Sequence, residues 1–266
     1  MRIVGIIAEY NPFHLGHSAL IQKVRSEGAT YIVAVMSGNF VQRGEPAVLS
    51  KWARARQALS CGVDLVMELP LPWAMAGAEK FALGGVSLLK ELGADTIAFG
   101  SECGNIQTLE IAANLLLSTE FKTVLQKHLN SGITFAAARQ KSLQELAGNT
   151  VSELLRSPNN TLGIEYLKAI QALGADLAPY TMKRTGPAHD SGDICSGIAS
   201  ASHIRSLLAD SRTDWDAFLP DASAAVLRSE LEAGRAPADF QYLERAVLAK
   251  LRGMDAEDVY KRQGPR

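Results

Sequence analysis

A chain of 266 residues that is 47% apolar is long enough to bury one large core, with room for a smaller appendage. With 27 Lys and Arg against 28 Asp and Glu, the net charge of -1 excludes a basic nucleic-acid coat and leaves room only for a local patch. Three cysteines without a Cys-x-x-Cys pair argue against a zinc ribbon or a disulfide framework. With no readable secretory leader and no bilayer-length apolar run, a cytoplasmic protein without membrane attachment is expected.

The run Ile3-Val4-Gly5-Ile6-Ile7 predicts a first buried strand, and Leu20, Ile21 and Val24 share one face of a following helix. Between them stands Ala8-Glu9-Tyr10-Asn11-Pro12-Phe13-His14-Leu15-Gly16-His17. His14 and His17 therefore sit where a strand hands over to a helix N-terminus. Free backbone N–H groups and the helix dipole collect anions at such a point. Gly16 lets a bulky group approach the backbone. Two imidazoles placed there hydrogen-bond phosphate oxygens and contribute most when charge builds on them. Ordinary loop and helix-start roles are the plain alternative, which the His-x-Gly-His spacing disfavours.

Tyr31 to Met36 predicts a second buried strand, and Ser50 an N-cap for a helix running from Lys51 towards Cys61. The loop between them carries Ser37, Asn39, Gln42 and Arg43, side chains suited to polar ligands. Lys51 and Arg54 share a helical face and are placed to meet a pyrophosphate or an RNA backbone. A solvated basic face with Trp52 packed beneath is an equal alternative. Val63 to Leu69 predicts a third strand, stopped by Pro70 and Pro72. Ala78 to Leu92 predicts a helix, in which Gly84-Gly85 marks close packing on the sheet. Ala94 to Phe99 predicts a fourth strand, ending at Gly100-Ser101-Glu102. This alternation predicts an α/β fold with a doubly wound parallel sheet. Ligands of such sheets bind outside the carboxyl ends of the strands, where His14, Ser37 to Asn39 and Gly100 converge.

Ile106 to Leu155 predicts a helical insertion with weak breaks at Gly132 and Gly148. Pro158-Asn159-Asn160 precedes a helix over Leu162 to Leu173. Leu177 to Lys183 reads as a strand, followed by a polar loop from Arg184 to Gly197. Asp190 and Asp193 in that loop suit a metal or plain solvent equally. In Ser200-Ala201-Ser202-His203-Ile204-Arg205, small hydroxyl residues before a helix leave N–H groups for a phosphate. Arg205 in its first turn clamps that phosphate. Asp239 to Met254 is amphipathic. Val259 to Arg266 has no fold logic of its own, so a shortened chain is expected. Neither a Walker A sequence nor a complete Gly-x-Gly-x-x-Gly fingerprint occurs.

His14-Leu15-Gly16-His17 resembles the His-x-Gly-His signature of the HIGH nucleotidyltransferase superfamily. Longer blocks resemble one family within it, the tRNA(Met) cytidine acetate ligases. These are Glu9 to His14, Met36 to Ala47, Ser50 to Arg54, Phe99 to Glu102, Ser157 to Asn160, Tyr180 to Arg184 and Ser200 to Arg205. The resemblance implies a Rossmann-like ATP-binding domain over residues 1–210, with its helical insertion at about 105–155. A helical C-terminal region would begin over residues 211–266. It implies that acetate attacks the α-phosphate of ATP, and that acetyl-adenylate then acetylates the wobble cytidine of elongator tRNA(Met). His14, His17 and Arg205 would be catalytic, and Mg²⁺ would accompany ATP. Ile7, Ala8, Glu9, Tyr10, Asn11, Pro12, Phe13, His14, Leu15, Gly16, His17, Ser18, Ala19 and Leu20 would line ATP. Gly100, Arg184, Ser200, Ser202 and the Asn159-Asn160 pair add contacts, with Asn160 preferred to Asn159. Ser37, Asn39, Gln42, Arg43, Lys51 and Arg54 would face substrate or RNA. Gly186-Pro187-Ala188-His189 lacks the Tyr that relatives carry before the His-Asp pair. A small-molecule adenylyltransferase and a non-catalytic RNA-binding relative are the rival readings. The residues do not fix an oligomeric state.

Overall fold

The computed structural model describes residues 1–42, 44–184, 199–210, 212–255 and 257. Arg43, Asp190, Asp193, Cys195 and the Gly186 to His189 segment lie outside these residues. Five strands form one sheet: β1 (Ile3–Ala8), β2 (Tyr31–Ser37), β3 (Leu65–Leu69), β4 (Thr96–Ser101) and β5 (Ala178–Lys183). Their order is β3-β2-β1-β4-β5, and each neighbouring pair is parallel. The chain winds outward from β1 through β2 to β3, then crosses back to β4 on the other side. The carboxyl ends of β1 and β4 thus flank the point where the winding reverses, the usual ligand crevice of such sheets.

β1 is apolar nearly throughout because both of its faces are covered. Val4 and Ile6 pack with α1 (Leu15–Ser26) through Leu20, Ile21 and Val24. Ile7 points to the opposite face, into a larger cluster. That cluster gathers α4 (Ala78–Glu91), α5 (Ile106–Leu117), α7 (Phe135–Ser152) and α8 (Pro158–Leu173). A Cβ on Gly85 would stand 2.5 Å from Ile7 Cδ1, so the expected close packing of α4 on the sheet is observed. α2 (Lys51–Ser60) packs in a third cluster with α9 (Ala201–Ala209) and α10 (Asp221–Glu232), tied together by Trp215, Phe218 and Leu227. That cluster draws on residues from both sides of position 210.

Short α3 (Leu71–Ala74) follows β3, and α6 (Thr119–Leu129) lies between α5 and α7. β4 starts two residues later than expected, because Ala94 closes the end of α4 by donating to Leu89 O at 3.0 Å. The break expected at Gly148 is a kink at φ 78 within α7. α8 begins at Pro158, four residues before the predicted start, so the Asn159-Asn160 pair lies in its first turn. α11 (Gln241–Arg252) is amphipathic as read, yet none of its residues is buried. Among the described residues, no helix is long and apolar enough to cross a membrane.

Candidate functional site

The β1–α1 junction caps itself with imidazoles. His14 is the N-cap of α1, and its Nδ1 accepts from Gly16 N–H at 3.0 Å. His17 Nδ1 in turn accepts from His14 N–H at 3.2 Å. This reciprocal arrangement is a capping box in which two histidines replace the usual hydroxyl and carboxylate. The rings stack with centroids 3.8 Å apart, and Tyr10 meets His17 edge-on at 4.9 Å. With Nδ1 accepting, a neutral ring carries its proton on Nε2. Burial, His14 and the Arg184 guanidinium hold the His17 pKa well below its ordinary 6.5, so it is neutral at pH 7.

The loop before α1 is held from behind by buried polar groups. Arg54 is fully buried. It donates to the carbonyls of Glu9 and Gly38, to Ser37 O at 3.1 Å and to Leu49 O at 3.2 Å. Burial lowers its pKa to about 10 against the opposing pull of Glu9 and Glu68, which leaves it a cation. Gln57, one turn later, accepts from Phe13 N–H at 3.4 Å and donates to Ser223 O at 3.0 Å. Ser223 Oγ donates to Phe13 O at 2.7 Å. Arg205 reaches the same loop, donating to Asn11 O at 3.0 Å. α2, α9 and α10 therefore fix the backbone on which the histidines stand.

The opposite rim is assembled by Glu102. Ser157, the N-cap of α8, makes no side-chain cap bond. The Glu102 carboxylate takes over, accepting from Asn160 N–H at 2.7 Å, Asn159 N–H at 3.2 Å and Asn159 Nδ2 at 2.7 Å. A carboxylate is well placed there because it satisfies orphan donors and complements the helix dipole. Asn159 Oδ1 accepts from Arg184 Nη1 at 3.5 Å. Arg184 lies against Gly100, where a Cβ would come within 3.2 Å of its Cγ. Asn160 turns away, accepting from Cys103 N–H at 3.0 Å, and is buried.

Between the two rims lies a cavity of about 600 Å³, well within the range of about 300–1,000 Å³ usual for small-ligand sites. Many residues expected to line ATP border it: Ile7, Ala8, Glu9, Tyr10, Asn11, His14, His17, Leu20, Gly100, Asn159, Arg184, Ser200 and Arg205. Pro12, Phe13, Leu15, Gly16, Ser18, Ala19, Asn160 and Ser202 do not border it. Phe13, for example, is packed into the core under α1. Of the pair, Asn159 and not the preferred Asn160 borders the cavity. Ser200 Oγ caps α9 by accepting from His203 N–H at 3.1 Å.

The group expected to face substrate or RNA is largely structural. Arg54 is buried and bonded to backbone, which removes it from any RNA contact. Lys51 pairs with Glu68 at 2.6 Å, and Asn39 Oδ1 accepts from Lys51 N–H at 2.8 Å. Ser37 is buried. Only Gln42 of this group borders the cavity among the described residues. Trp52, read as packed beneath the basic face, is 73% exposed because α2 turns Ala53 and Arg54 inward instead. Sequence reading missed Glu102, Gln57 and Ser223 as positioning groups, and Arg156, Phe99 and Tyr166 as cavity walls. A polar pair one turn apart inside an otherwise apolar helix face, Arg54 and Gln57, was the available signal. Among the described residues no group of three or more metal-ligating side chains is gathered.

Comparison with known proteins agrees with this geometry. The HIGH Nucleotidyl Transferase family model matches residues 1–264. The tRNA(Met) cytidine acetate ligase of Acetivibrio thermocellus is 40% identical over 97% of this chain and 65% of its own length. That of Syntrophotalea carbinolica is 45% identical over 96% of this chain and 62% of its own. The chain thus spans about two thirds of the curated relatives it matches. The apo crystal structure of Thermotoga maritima TmcAL superposes with a TM-score of 0.90 at 34% identity, covering 96% of this chain and 63% of that one. The same protein bound with alpha-thio ATP gives 0.82 at 35%, covering 91% and 59%. The chain belongs to the HIGH nucleotidyl transferase family and, within it, to the family of the tRNA(Met) cytidine acetate ligases.

Proposed function

We propose that this chain carries the ATP-dependent half of a tRNA(Met) cytidine acetate ligase. It activates acetate and passes the acetyl group to the wobble cytidine of elongator tRNA(Met) in the cytoplasm. The observation that carries the reading is the stacked His14–His17 pair, locked by backbone cap bonds at the rim of a cavity shared with Arg184 and Arg205. ATP lies with its phosphates towards the α1 N-terminus and its base towards the β4 rim, where Phe99 and Tyr166 supply flat apolar walls.

An acetate oxygen attacks the α-phosphorus, the bond to the β-phosphate oxygen breaks, and pyrophosphate leaves. Acetyl-adenylate remains. Charge grows on the non-bridging oxygens in the transition state, and the chain answers with donors that need no reorganisation. A neutral His17 suits this role, since its Nδ1 cap bond leaves its proton on Nε2 as a donor. The cytidine amine then attacks the acetyl carbonyl carbon, AMP departs, and N4-acetylcytidine forms. An unstacked anticodon base makes this second step accessible. Mg²⁺ would arrive with the triphosphate. Among the described residues, Glu9 and Glu45 are the acidic side chains that border the cavity.

The test is ATP–pyrophosphate exchange. Exchange that depends on acetate is expected. Exchange driven by a phosphorylated vitamin fragment would favour a small-molecule adenylyltransferase. Binding of tRNA without any exchange would leave only an RNA-binding relative.

A further inference from the structure

A second cavity, of about 570 Å³, opens beside the first and shares Ala78 with it. It lies between the start of α4, the paired helices α6 and α7, and α8. The proposed acetate activation uses nothing on this side. Its charged lining consists of Lys80, Lys122, Arg139 and Lys168 against Glu79 and Glu165. The groove therefore carries a formal charge of about +2 on a chain whose total is -1.

Two of the cations are held on a buried acid. Glu165 is 3% exposed, and both of its carboxylate oxygens are occupied. Arg139 donates to one at 2.5 Å and Lys168 to the other at 2.6 Å. With Glu79 counted, Arg139, Lys168, Glu165 and Glu79 sum to zero, so the net charge of about +2 is that of Lys80 and Lys122. Lys168 also lies 3.6 Å from Glu79, an exposed acid that offsets it weakly. Lys80 and Lys122 are exposed at the edges. Phe135 is 61% exposed at the same opening, above an apolar floor of Leu116, Phe121 and Leu125.

Exposed lysines at the edges of an apolar floor, with one exposed aromatic ring, match a polynucleotide strand: phosphates meet the cations and an unstacked base lies on the ring. We propose that this groove holds the backbone of the tRNA beside the nucleotide cavity, so that the base to be modified enters over Ala78. The assignment rests on the ligase reading above and names where that reaction's RNA substrate lies. It gives the helical insertion a role of its own.

The test compares the wild-type chain with Lys80→Glu/Lys122→Glu, whose side chains are exposed and outside the nucleotide cavity. An elongator tRNA(Met) transcript is titrated at several salt concentrations, alongside acetate-dependent exchange. A loss of tRNA affinity on the order of tenfold is expected, with a shallower salt dependence, each lost contact removing about 0.7–0.9 from the slope. Exchange should be unchanged. Phe135→Ala should weaken tRNA binding without changing the salt slope. Lys23→Glu, on the opposite face of the sheet, is the control for general loss of positive charge. Unchanged affinity and slope in the double variant, or an equal loss in Lys23→Glu, overturns the groove. If the wild type lacks exchange while the double variant still loses tRNA, the ligase reading falls and the groove stands.

Discussion

The two rims of the proposed nucleotide cavity are built by opposite means. At the β1 rim, His14 and His17 cap one helix through bonds spanning two and three residues. At the β4 rim, Glu102 reaches 57 and 58 residues along the chain to order the start of α8, and only then does Asn159 meet Arg184. The first rim is a local motif set on a buttress, whereas the second exists only once the sheet has formed. The proposed chemistry thus sits where the geometry is local. Positioning is delegated to long-range, charge-assisted contacts.

Substitutions should separate buttress, chemistry and rim in that order of effect. Arg54→Leu leaves several buried carbonyls without donors, and an unsatisfied buried group costs about 1–3 kcal/mol. We expect a loss of about 3 kcal/mol or more, read as a lowered urea midpoint, with exchange lost alongside. Near-normal stability would mean that the β1 rim needs no buttress. His17→Ala should lower exchange on the order of 10²-fold, the usual consequence of losing one preorganised donor, with a much smaller change in melting temperature. An equal collapse of both would make His17 structural.

Glu102→Ala should cost about 0.5–2 kcal/mol as a lost helix cap and raise KM for ATP several-fold with little change in kcat. Gly100→Ala should give a smaller rise in KM, because it asks Arg184 to shift by only a few tenths of an ångström. If Gly100→Ala exceeds Glu102→Ala, Arg184 is placed by Gly100 rather than through α8.

The pH dependence follows from His17. Its native pKa lies below the ordinary 6.5 of an unfolded histidine. Between those values the unfolded chain binds the extra proton, so stability falls as pH drops below about 6.5 and levels off under the native pKa. This contribution is complete above 6.5. Denaturant titrations across that window should show a slope that His17→Gln reduces, and exchange should fall with the same acid limb. An unchanged slope in His17→Gln would assign the acid sensitivity to another group.

Much of this was legible in order along the chain. The apolar runs predicted five strands with shifts of about two residues, most plainly the inner strands β1, β2 and β4, whose faces are both covered. His-x-Gly-His was legible because its bonds are short in sequence. Arg54 was misread because helical spacing places it on a face without saying which face points inward. That Asn159 and not Asn160 borders the cavity was not legible, because the start of α8 is bonded to Glu102, far away in sequence.

Local order, the alternation of strand and helix and the histidine cap were thus determined by the residues themselves. Their causes act over one or two helical turns or along a single strand. The direction in which Arg54 faces, the partner of Glu102, and the adjoining positive groove around Glu165 were decided only by tertiary structure. Burial and charge pairing between distant elements are properties of the packed sheet and its helices, and no window of sequence contains them.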